Sequence, residues 1–433
     1  MDNKTGKLSN RAYQNLSIPV PLRELLIKAI PLLYHPTNNP DGVINMGLAH
    51  SDLMRQELVD KINKCFEFNS SMIDYGDPHG SRLLRKLVAE LMNRHFKPAK
   101  ALEFNQCIVV PGAGAAVWQF IHSFTDPGDS VLVLAPYYGN FDLDVCVGTN
   151  VDLIPLYPHE SLDAPINMDL LEKEWSSKQN IQHKAKVLLV TNPRNPQGSC
   201  YSREDIIKLL KFASKNQLHI LFDEVYGLST FSHVETNQPD PFISVLSIDN
   251  VEQYIDPQLV HVVYGMSKDF SINGLRVGFV ISQYNEEVIA NVKLTSMFGY
   301  MSTVEDKILC NLLMDTLWID TFIETNRQRL KLIYGQTTEY MKQIGIDYIP
   351  CDAGLFIIAD VRHLFQQHDK EITFKLEREI WELALENKVY VAPGYIFHTL
   401  EPGYFRLTFC LEWHLVKLGI DRFYQTLDYF LKK

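Results

Sequence analysis

Residues Lys186 to Tyr226 read KVLLVTNPRNPQGSCYSREDIIKLLKFASKNQLHILFDEVY. The stretch opens with a short apolar run, KVLLVT, and ends with a second one, HILF, which two acids follow. Between them, Ser202 to Gln217 forms an amphipathic segment in which a serine precedes two acids, as is typical of a helix N-terminus. A strand, a helix and another strand in this order predict a βαβ unit and therefore a parallel sheet.

Three further apolar runs lie on either side of this unit: Cys107 to Val110 (CIVV), Ser130 to Ala135 (SVLVLA) and Val260 to Gly265 (VHVVYG). Such short, continuously apolar runs are typical of strands that are buried on both faces of a parallel sheet. Because amphipathic segments separate them, we expect a doubly wound α/β domain.

The pattern changes past about Leu294. A long helical region with scattered charges runs to about Ile344, and two strand-like stretches follow, AGLFIIAD (Ala353 to Asp360) and YFRLTFC (Tyr404 to Cys410). This arrangement predicts a second, smaller α+β domain. We expect residues 45–300 to form the large domain, residues 301–433 the small domain, and residues 1–44 an N-terminal segment that belongs with the small domain.

The composition argues against a nucleic-acid-binding, membrane-bound or disulfide-rich protein. A net charge of -11 over 433 residues argues against a surface that binds nucleic acid or an anionic membrane, and favours a small-molecule substrate. The seven cysteines include no CxxC pair, so neither a disulfide framework nor a metal site is expected. Because the N-terminus lacks the apolar core of a signal peptide and no later run has membrane-span length, we expect a soluble cytoplasmic protein.

Four of the apolar runs are followed by residues that could bind a ligand. Open α/β sheets bind their ligands beyond these carboxyl ends of the strands. Asp223 ends the HILF run, and a buried acid requires a positive partner. Lys268 and Arg276 follow VHVVYG, and an amine can bind an aldehyde while a guanidinium binds a phosphate. Asn195 lies in the turn NPRNPQG after KVLLVT. PGAGAA (Pro111 to Ala116) follows CIVV and leads into a helix whose N-H groups can bind a phosphate.

Taken singly, these motifs are ordinary turns, surface lysines or tight packing, but their joint order is specific. With APYYGNF (Ala135 to Phe141), DEVY, MSKDFSINGLRVG (Met266 to Gly278) and EPGYFRLTF (Glu401 to Phe409), the chain resembles the class I/II aminotransferase family of fold-type I pyridoxal-phosphate enzymes. Within that family it most resembles 1-aminocyclopropane-1-carboxylate synthases and synthase-like proteins, from about Ile44 to the C-terminus. The resemblance implies a mostly parallel, seven-stranded sheet in the large domain and pyridoxal 5'-phosphate as cofactor.

The resemblance also implies catalytic roles. Lys268 matches the lysine that holds the cofactor as a Schiff base and removes the Cα proton of the substrate. Asp223 matches the acid that pairs with the pyridine nitrogen and keeps it protonated. Asn195 and Tyr226 match the residues that hydrogen-bond the phenolic oxygen of the ring. Tyr138 matches the aromatic residue that stacks on the ring face, the alternative being a core residue.

The same matching implies how the phosphate is held. Backbone groups of Ala113 and Gly114, the Ser267 hydroxyl and the Arg276 guanidinium match the phosphate ligands. Gly114 stands where relatives often carry a hydroxyl residue, so one side-chain contact is absent.

Three residues match positions that recognise the substrate or the partner subunit. Arg406 matches the arginine that binds the substrate carboxylate, the alternative being a surface salt bridge. Tyr75 resembles the tyrosine that reaches into the site of the partner subunit, which implies a homodimer. His50, in GLAHSDL (Gly47 to Leu53), replaces the glutamate of cyclopropane-forming relatives. It is either an acid/base or substrate ligand, or an ordinary loop histidine.

The reaction is less determined than the cofactor. Loss of the glutamate removes a negative charge that favours a cationic sulfonium substrate such as S-adenosylmethionine. Our leading hypothesis is therefore elimination or substitution at the β or γ carbon of a sulfur-bearing or otherwise activated amino acid, with transamination as the alternative. A dinucleotide-binding oxidoreductase is disfavoured because Val117 occupies the third glycine position of its fingerprint. A catalytically silent binding protein is disfavoured by the intact lysine, aspartate and arginines.

Overall fold

The computed structural model describes residues 7–236 and 238–433. The strands of these residues, in chain order, are β1 (Ile44–Asn45), β2 (Cys107–Val110), β3 (Ser130–Leu134), β4 (Asp152–Leu156), β5 (Ala185–Thr191), β6 (His219–Asp223), β7 (Val260–Gly265), β8 (Gly278–Ile281), β9 (Asp347–Ile349), β10 (Phe356–Asp360), β11 (Val389–Tyr390), β12 (Ala392–Pro393) and β13 (Tyr404–Thr408).

The helices of the same residues are α1 (Asn10–Ser17), α2 (Pro21–Ala29), α3 (Arg55–Cys65), α4 (Arg82–His95), α5 (Ala113–Phe124), α6 (Phe141–Cys146), α7 (Met168–Ser176), α8 (Arg203–Lys215), α9 (Met266–Asp269), α10 (Glu286–Thr295), α11 (Thr303–Met314), α12 (Thr316–Gln343), α13 (Arg362–Gln367), α14 (Phe374–Glu386) and α15 (Trp413–Lys432). None of these helices combines the length and the apolar character needed to cross a membrane.

The larger sheet has seven strands in the order β2-β8-β7-β6-β5-β3-β4. β8 is antiparallel to both of its neighbours, and the other adjacent pairs are parallel. All five apolar runs noted in the sequence are strands of this sheet, which confirms the α/β prediction. Two strands of this sheet were not predicted: β8 is a short run after a glycine-containing loop, and β4 is a partly exposed edge strand that contains Pro155.

The βαβ unit shows why its strands are continuously apolar. In β5, Val187 and Leu189 belong to one hydrophobic core, whereas Leu188 and Val190 belong to the other. Because successive side chains of a strand point to opposite faces, both faces of β5 must be apolar. Helix α5 packs into the first core and α8 into the second, so the sheet is covered on both sides.

Helix α8 follows the sequence signals closely. The Ser202 hydroxyl caps it by accepting a hydrogen bond from the backbone N-H of Asp205. Its buried face consists of Ile206, Leu209, Leu210, Phe212 and Ala213, largely at the spacing of one helical face. The predicted helix is therefore confirmed, from one residue after Ser202 to Lys215.

The C-terminal part of the chain contains a second, antiparallel sheet in the order β12-β13-β10-β9. Its central strands β10 and β13 are the two predicted from AGLFIIAD and YFRLTFC, and the 28-residue helix α12 precedes them. β1 pairs in parallel with β11, which joins residues 44–45 to the C-terminal part. The division of the chain at residues 44 and 300 stays a prediction.

Candidate active site

A cavity of about 290 Å³ lies at the carboxyl ends of the central parallel strands. Thr191 ends β5, Asp223 ends β6 and Gly265 ends β7, and all three line the cavity. The topology thus places the polar junctions of the sequence around one space. The structure brings together all the residues predicted to contact a cofactor: Ala113, Gly114, Tyr138, Asn195, Asp223, Tyr226, Ser267, Lys268 and Arg276.

Lys268 lies in the short helix α9, and its amine is held by a distant part of the chain. Its Nζ donates a hydrogen bond of 2.6 Å to the backbone carbonyl of Ala49. Burial, followed by the nearby guanidinium groups of Arg406 and Arg276, lowers the pKa of Lys268 to about 8, and Asp223 opposes this shift. Near neutral pH a useful fraction of the amine is therefore unprotonated, as a nucleophile requires.

The Asp223 carboxyl is buried at the end of β6. Its Oδ1 accepts a hydrogen bond of 3.3 Å from the backbone N-H of Val225, and no cation among the described residues forms an ion pair with it. Burial raises the pKa of Asp223 to about 7, while Lys268 acts in the opposite direction. A ligand that brings a positive charge to this carboxyl would restore its ordinary acidity.

Arg406 is also buried without a counter-charge. Its guanidinium carbon lies 4.6 Å from the ring centre of Phe356 and 4.6 Å from that of Phe397. Nη1 donates to Oδ1 of Asn195 at 2.8 Å and Nη2 to the carbonyl of Gly47 at 2.7 Å, whereas the buried Nε has no hydrogen-bond partner. Burial lowers the pKa of this guanidinium. A buried, incompletely paired guanidinium is suited to a ligand carboxylate rather than to a surface salt bridge.

Two tyrosines complete the walls around the ring-binding region. The ring of Tyr226 meets that of Phe356 edge to face at 5.4 Å, and the half-buried ring of Tyr138 meets Phe141 in the same way at 5.5 Å. Burial raises the pKa of both phenols. Both hydroxyls therefore keep their protons and can donate hydrogen bonds at neutral pH.

The start of α5 and Arg276 form the anion-binding end of the cavity. Gly112 caps α5 with φ of 97°, and a Cβ at this position would lie 2.2 Å from Nη2 of Arg276. Only glycine therefore allows the guanidinium to approach the helix start so closely. Arg276 Nη1 donates to the carbonyl of Asn273 at 3.1 Å. Free N-H groups at a helix N-terminus beside a guanidinium are a suitable environment for a phosphate.

His50 and Tyr75 lie outside the lining of this cavity. Nδ1 of His50 is 3.0 Å from the carbonyl of Leu48 and 3.3 Å from Nδ2 of Asn45, and Nε2 is 3.9 Å from the Asp52 carboxylate. Lys268 is contacted by the backbone carbonyl of Ala49, the residue before His50, and not by the His50 imidazole. Tyr75 is 95% exposed. Within one chain, neither side chain reaches the predicted cofactor residues.

Several residues of the cavity were not predicted from the sequence. Asn140 and Asp144 are the informative ones, because they lie at the end of APYYGNF and just after it, where an acid on a short, largely apolar helix was a usable signal. The contact of Ala49 with Lys268 had no signal, since it involves a backbone carbonyl. The unpredicted lining residues are Leu48, Val117, Asn140, Phe141, Asp144, Thr191, Val225, Gly265 and Asn273.

A doubly wound sheet with a buried lysine, an unpaired buried aspartate and a helix-start anion site at its carboxyl edge defines an enzyme of the fold-type I pyridoxal-phosphate class. The chain belongs to the class I and II aminotransferase family, since the model for "Aminotransferase class I and II" matches residues 44–423.

Two curated relatives cover most of the chain. 1-aminocyclopropane-1-carboxylate synthase 2 of Cucurbita pepo is 32% identical over 414 residues, which are 92% of this chain and 81% of the relative. 1-aminocyclopropane-1-carboxylate synthase-like protein 1 of Arabidopsis thaliana is 33% identical over 401 residues, 90% of this chain and 79% of the relative. The resemblance to these proteins is therefore not confined to the cofactor motifs.

Solved structures show the same fold. Aspartate aminotransferase from Thermotoga maritima superimposes with a TM-score of 0.73 at 23% identity, covering 97% of this chain and 100% of that one. A single mutant of Thermus thermophilus aspartate aminotransferase gives a TM-score of 0.76 at 18% identity, with coverage of 97% and 100%. These similarities confirm the predicted fold.

The protein is thus a pyridoxal 5'-phosphate-dependent enzyme of the class I and II aminotransferase family. The residues present fit this cofactor at three points. The Lys268 amine can bind its aldehyde, the unpaired Asp223 carboxyl can pair with its ring nitrogen, and the start of α5 with Arg276 can bind its phosphate.

Proposed function

We propose that this enzyme removes the Cα proton of an amino acid and then eliminates or substitutes a group at its β or γ carbon. The observation that carries the proton-transfer step is a pair of buried basic side chains close enough to influence each other: the Nε of Arg406 has no hydrogen-bond partner, and the Arg406 charge contributes to lowering the pKa of Lys268 to about 8. An α-carboxylate on the first would bring the α-carbon of the same substrate toward the second. The synthase names of the relatives support a reaction beyond simple amino-group transfer.

Each side chain has a defined task in this proposal. Arg406 binds the substrate carboxylate through its planar fork, and Asn195, which already accepts from Nη1, holds that fork in place. Lys268 Nζ takes the proton from Cα. Bound pyridoxal phosphate supplies the electron sink for the electron pair left at Cα. Asp223 keeps the ring nitrogen protonated, and Tyr226 donates its hydroxyl proton in a hydrogen bond to the phenolic oxygen.

The residue at position 50 bears on which of two candidate reactions follows the proton transfer. His50 replaces a glutamate of cyclopropane-forming relatives and lies 3.9 Å from Asp52, so the segment keeps an acid but at a different position. This difference disfavours a sulfonium substrate and leaves transamination as the second candidate. The cofactor-binding residues serve both reactions equally, because both begin with the same proton transfer.

Product analysis separates the two candidates. The holoenzyme is incubated with an S-alkylcysteine, with S-adenosylmethionine and with aspartate, each with and without 2-oxoglutarate. Without 2-oxoglutarate, we expect thiol, pyruvate and ammonia from the S-alkylcysteine, and a smaller yield of a sulfur fragment from S-adenosylmethionine. Glutamate formation that strictly requires 2-oxoglutarate, with no sulfur product, would instead identify an aminotransferase. Lys268→Ala is the control, and it must abolish whichever product forms.

We also propose that the active unit is a homodimer in which Tyr75 contacts the site of the partner subunit. The 95% exposure of Tyr75 supports this, as does the exposure of Ile73 and Phe298, at 75% and 93%. The segment that carries Tyr75 is anchored by the Thr303 hydroxyl, which donates to the carbonyl of Met72 at 2.6 Å. A partner surface would bury these apolar side chains.

Subunit mixing tests the dimer. If Tyr75 acts across the interface, Tyr75→Ala and Lys268→Ala chains, each inactive or nearly so, form hybrids with one intact site. Co-refolded mixtures should then recover up to about a quarter of wild-type activity, because half of the dimers are hybrids with one intact site of two. A monomer in analytical ultracentrifugation, or a mixture no more active than its components, would contradict the proposal.

A further inference from the structure

Asp144 is an acid of the cofactor cavity that has no part in the proposed reaction. It lies on α6, and its side chain is partly buried and lines the cavity. Oδ1 accepts a hydrogen bond of 3.0 Å from Nδ2 of Asn140. Among the described lysines, arginines and histidines, none forms an ion pair with it. Since a carboxyl can form more than one hydrogen bond, Asp144 keeps unused hydrogen-bonding capacity at the cavity.

The Asp144 carboxyl packs against the first turn of α5. A Cβ added at Gly114 would lie 2.8 Å from Oδ1 and 3.1 Å from Oδ2 of Asp144. The carboxyl therefore occupies the space that a side chain at position 114 would need. That first turn, with its free N-H groups, is also the proposed phosphate site. The Asp144 carboxyl therefore lies at the position that a phosphate-binding side chain on residue 114 would occupy.

The charges around Asp144 favour its protonated form. Asp223 faces it from β6 and Arg276 from the loop before β8, with the Tyr138 phenol and the Asn140 amide on its own side. Residues 113 and 114 of α5 contribute no titratable side chain. Burial, and then Asp223, raise the pKa of Asp144 to about 7, against the opposing effects of Asn140 and Arg276. A phosphate dianion beside this carboxyl would raise the pKa further.

We propose that Asp144 is a ligand of the cofactor phosphate, holding a proton on its carboxyl and donating that O-H to a phosphate oxygen. It supplies from α6 the contact that Gly114 cannot make from α5. An ionised carboxylate at this position would repel the phosphate, so the proton is part of the site. The assignment rests on the proposed phosphate site at the start of α5.

Proton linkage gives the sign of the effect. Because the carboxyl pKa is higher with phosphate bound than without it, binding takes up a proton. Affinity for the phosphate group should therefore fall as the pH rises above about 7, by at most about tenfold per pH unit. Phosphate itself loses its second proton near pH 6, so between pH 7 and 9 the ligand charge changes little.

The test measures binding rather than turnover. Full-length protein freed of cofactor is titrated calorimetrically with pyridoxamine 5'-phosphate and with pyridoxamine, between pH 7 and 9. Neither probe has an aldehyde, so Lys268 forms no bond to it. The ratio of the two dissociation constants isolates the phosphate contribution, because the ring and its interaction with Asp223 are common to both probes.

Two variants and a control define the outcomes. Asp144→Ala should weaken phosphate-dependent binding by about tenfold to a hundredfold at pH 7, as expected for a lost hydrogen bond to a charged group. Asp144→Asn keeps a donor without a titratable proton, so it should bind well and lose the pH dependence. Asp152→Asn, an exposed acid on β4, should behave as wild type. Circular dichroism and thermal unfolding verify that each variant is folded.

Three results would overturn the assignment. In one, both variants at Asp144 bind the phosphorylated probe as tightly as wild type, or more tightly, at every pH. In another, Asp144→Ala weakens pyridoxamine and its phosphate equally, which would indicate a structural or ring-binding role. If wild type binds neither probe, the proposed cofactor site itself fails, and that result is distinct from the other two.

Discussion

The clearest prediction concerns Arg406, whose buried positive charge is proposed to bind the carboxylate of the substrate. Replacement by methionine keeps an unbranched apolar stem between Phe356 and Phe397 but removes the charge and the hydrogen bonds to Asn195 and Gly47. Replacement by lysine keeps the charge but loses the planar fork. The two substitutions therefore separate charge from geometry.

The magnitude follows from the contacts. A hydrogen bond to a charged group is worth about 1.5–3 kcal/mol, and about 1.4 kcal/mol corresponds to a factor of ten. Arg406→Lys should thus weaken amino-acid binding about tenfold, and Arg406→Met about a hundredfold or more. Arg406→Met also changes the stability of the fold. It loses two hydrogen bonds, but it relieves the protein of a buried charge without a counter-charge, whose desolvation costs several kcal/mol. We expect its stability in urea to equal or exceed that of wild type.

Spectroscopic titration of the holoenzyme with amino acids measures the substrate affinity, and urea unfolding measures the stability. Arg362→Met is the matched control, because Arg362 already forms ion pairs with Asp360 and Glu401 and so has no free charge for a substrate. Amino-acid affinity that is unchanged in Arg406→Met, or lost equally in Arg362→Met, would refute the reasoning. A large loss of stability in Arg406→Met would show that the guanidinium is structural.

Other predictions address the amine and the sheet. Lys268→Ala should remove the visible absorption band of the bound cofactor, and an unchanged band would contradict its assignment. Since the pKa of Lys268 is lowered to about 8, the rate of pyridoxal phosphate capture should rise with pH, with its midpoint near pH 8, and level off about one pH unit above it. Arg406→Met should raise that midpoint, because it removes a neighbouring positive charge; stopped-flow measurements check both. Leu188→Ala, fully buried in β5, should cost about 3 kcal/mol in urea unfolding, whereas Ile27→Ala, which is 59% exposed, should cost under about 0.5 kcal/mol.

The sequence predicted those parts of the fold in which local pattern and tertiary environment agree. β5 is apolar on both faces because it separates two cores, so its run was readable without a structure. β4 was not, because an edge strand need not be continuously apolar, and Pro155 lowers its strand character. β8 was obscured by its shortness and by the glycine-containing loop before it.

The site was predictable where it follows strand ends. Asp223 and Asn195 could be placed because each follows a recognisable strand. Asp144, an acid on the short helix after APYYGNF, could be noticed in the sequence but not placed, since its position in the cavity depends on how α6 packs against the start of α5. The His50 side chain contacts Asn45 and the carbonyl of Leu48 and does not itself line the cavity; hydrogen bonds within its own loop set this orientation, which no sequence pattern indicates.

The hydrogen bond between Lys268 and Ala49 links residues that are 219 positions apart in the chain. Because its acceptor is a main-chain oxygen, no side-chain replacement at position 49 removes it directly. The side chain at position 50 can therefore differ without removing this bond, while the peptide group before it continues to hold the reactive amine. The contact that orients the reactive amine is thus independent of the side-chain chemistry of the segment that provides it.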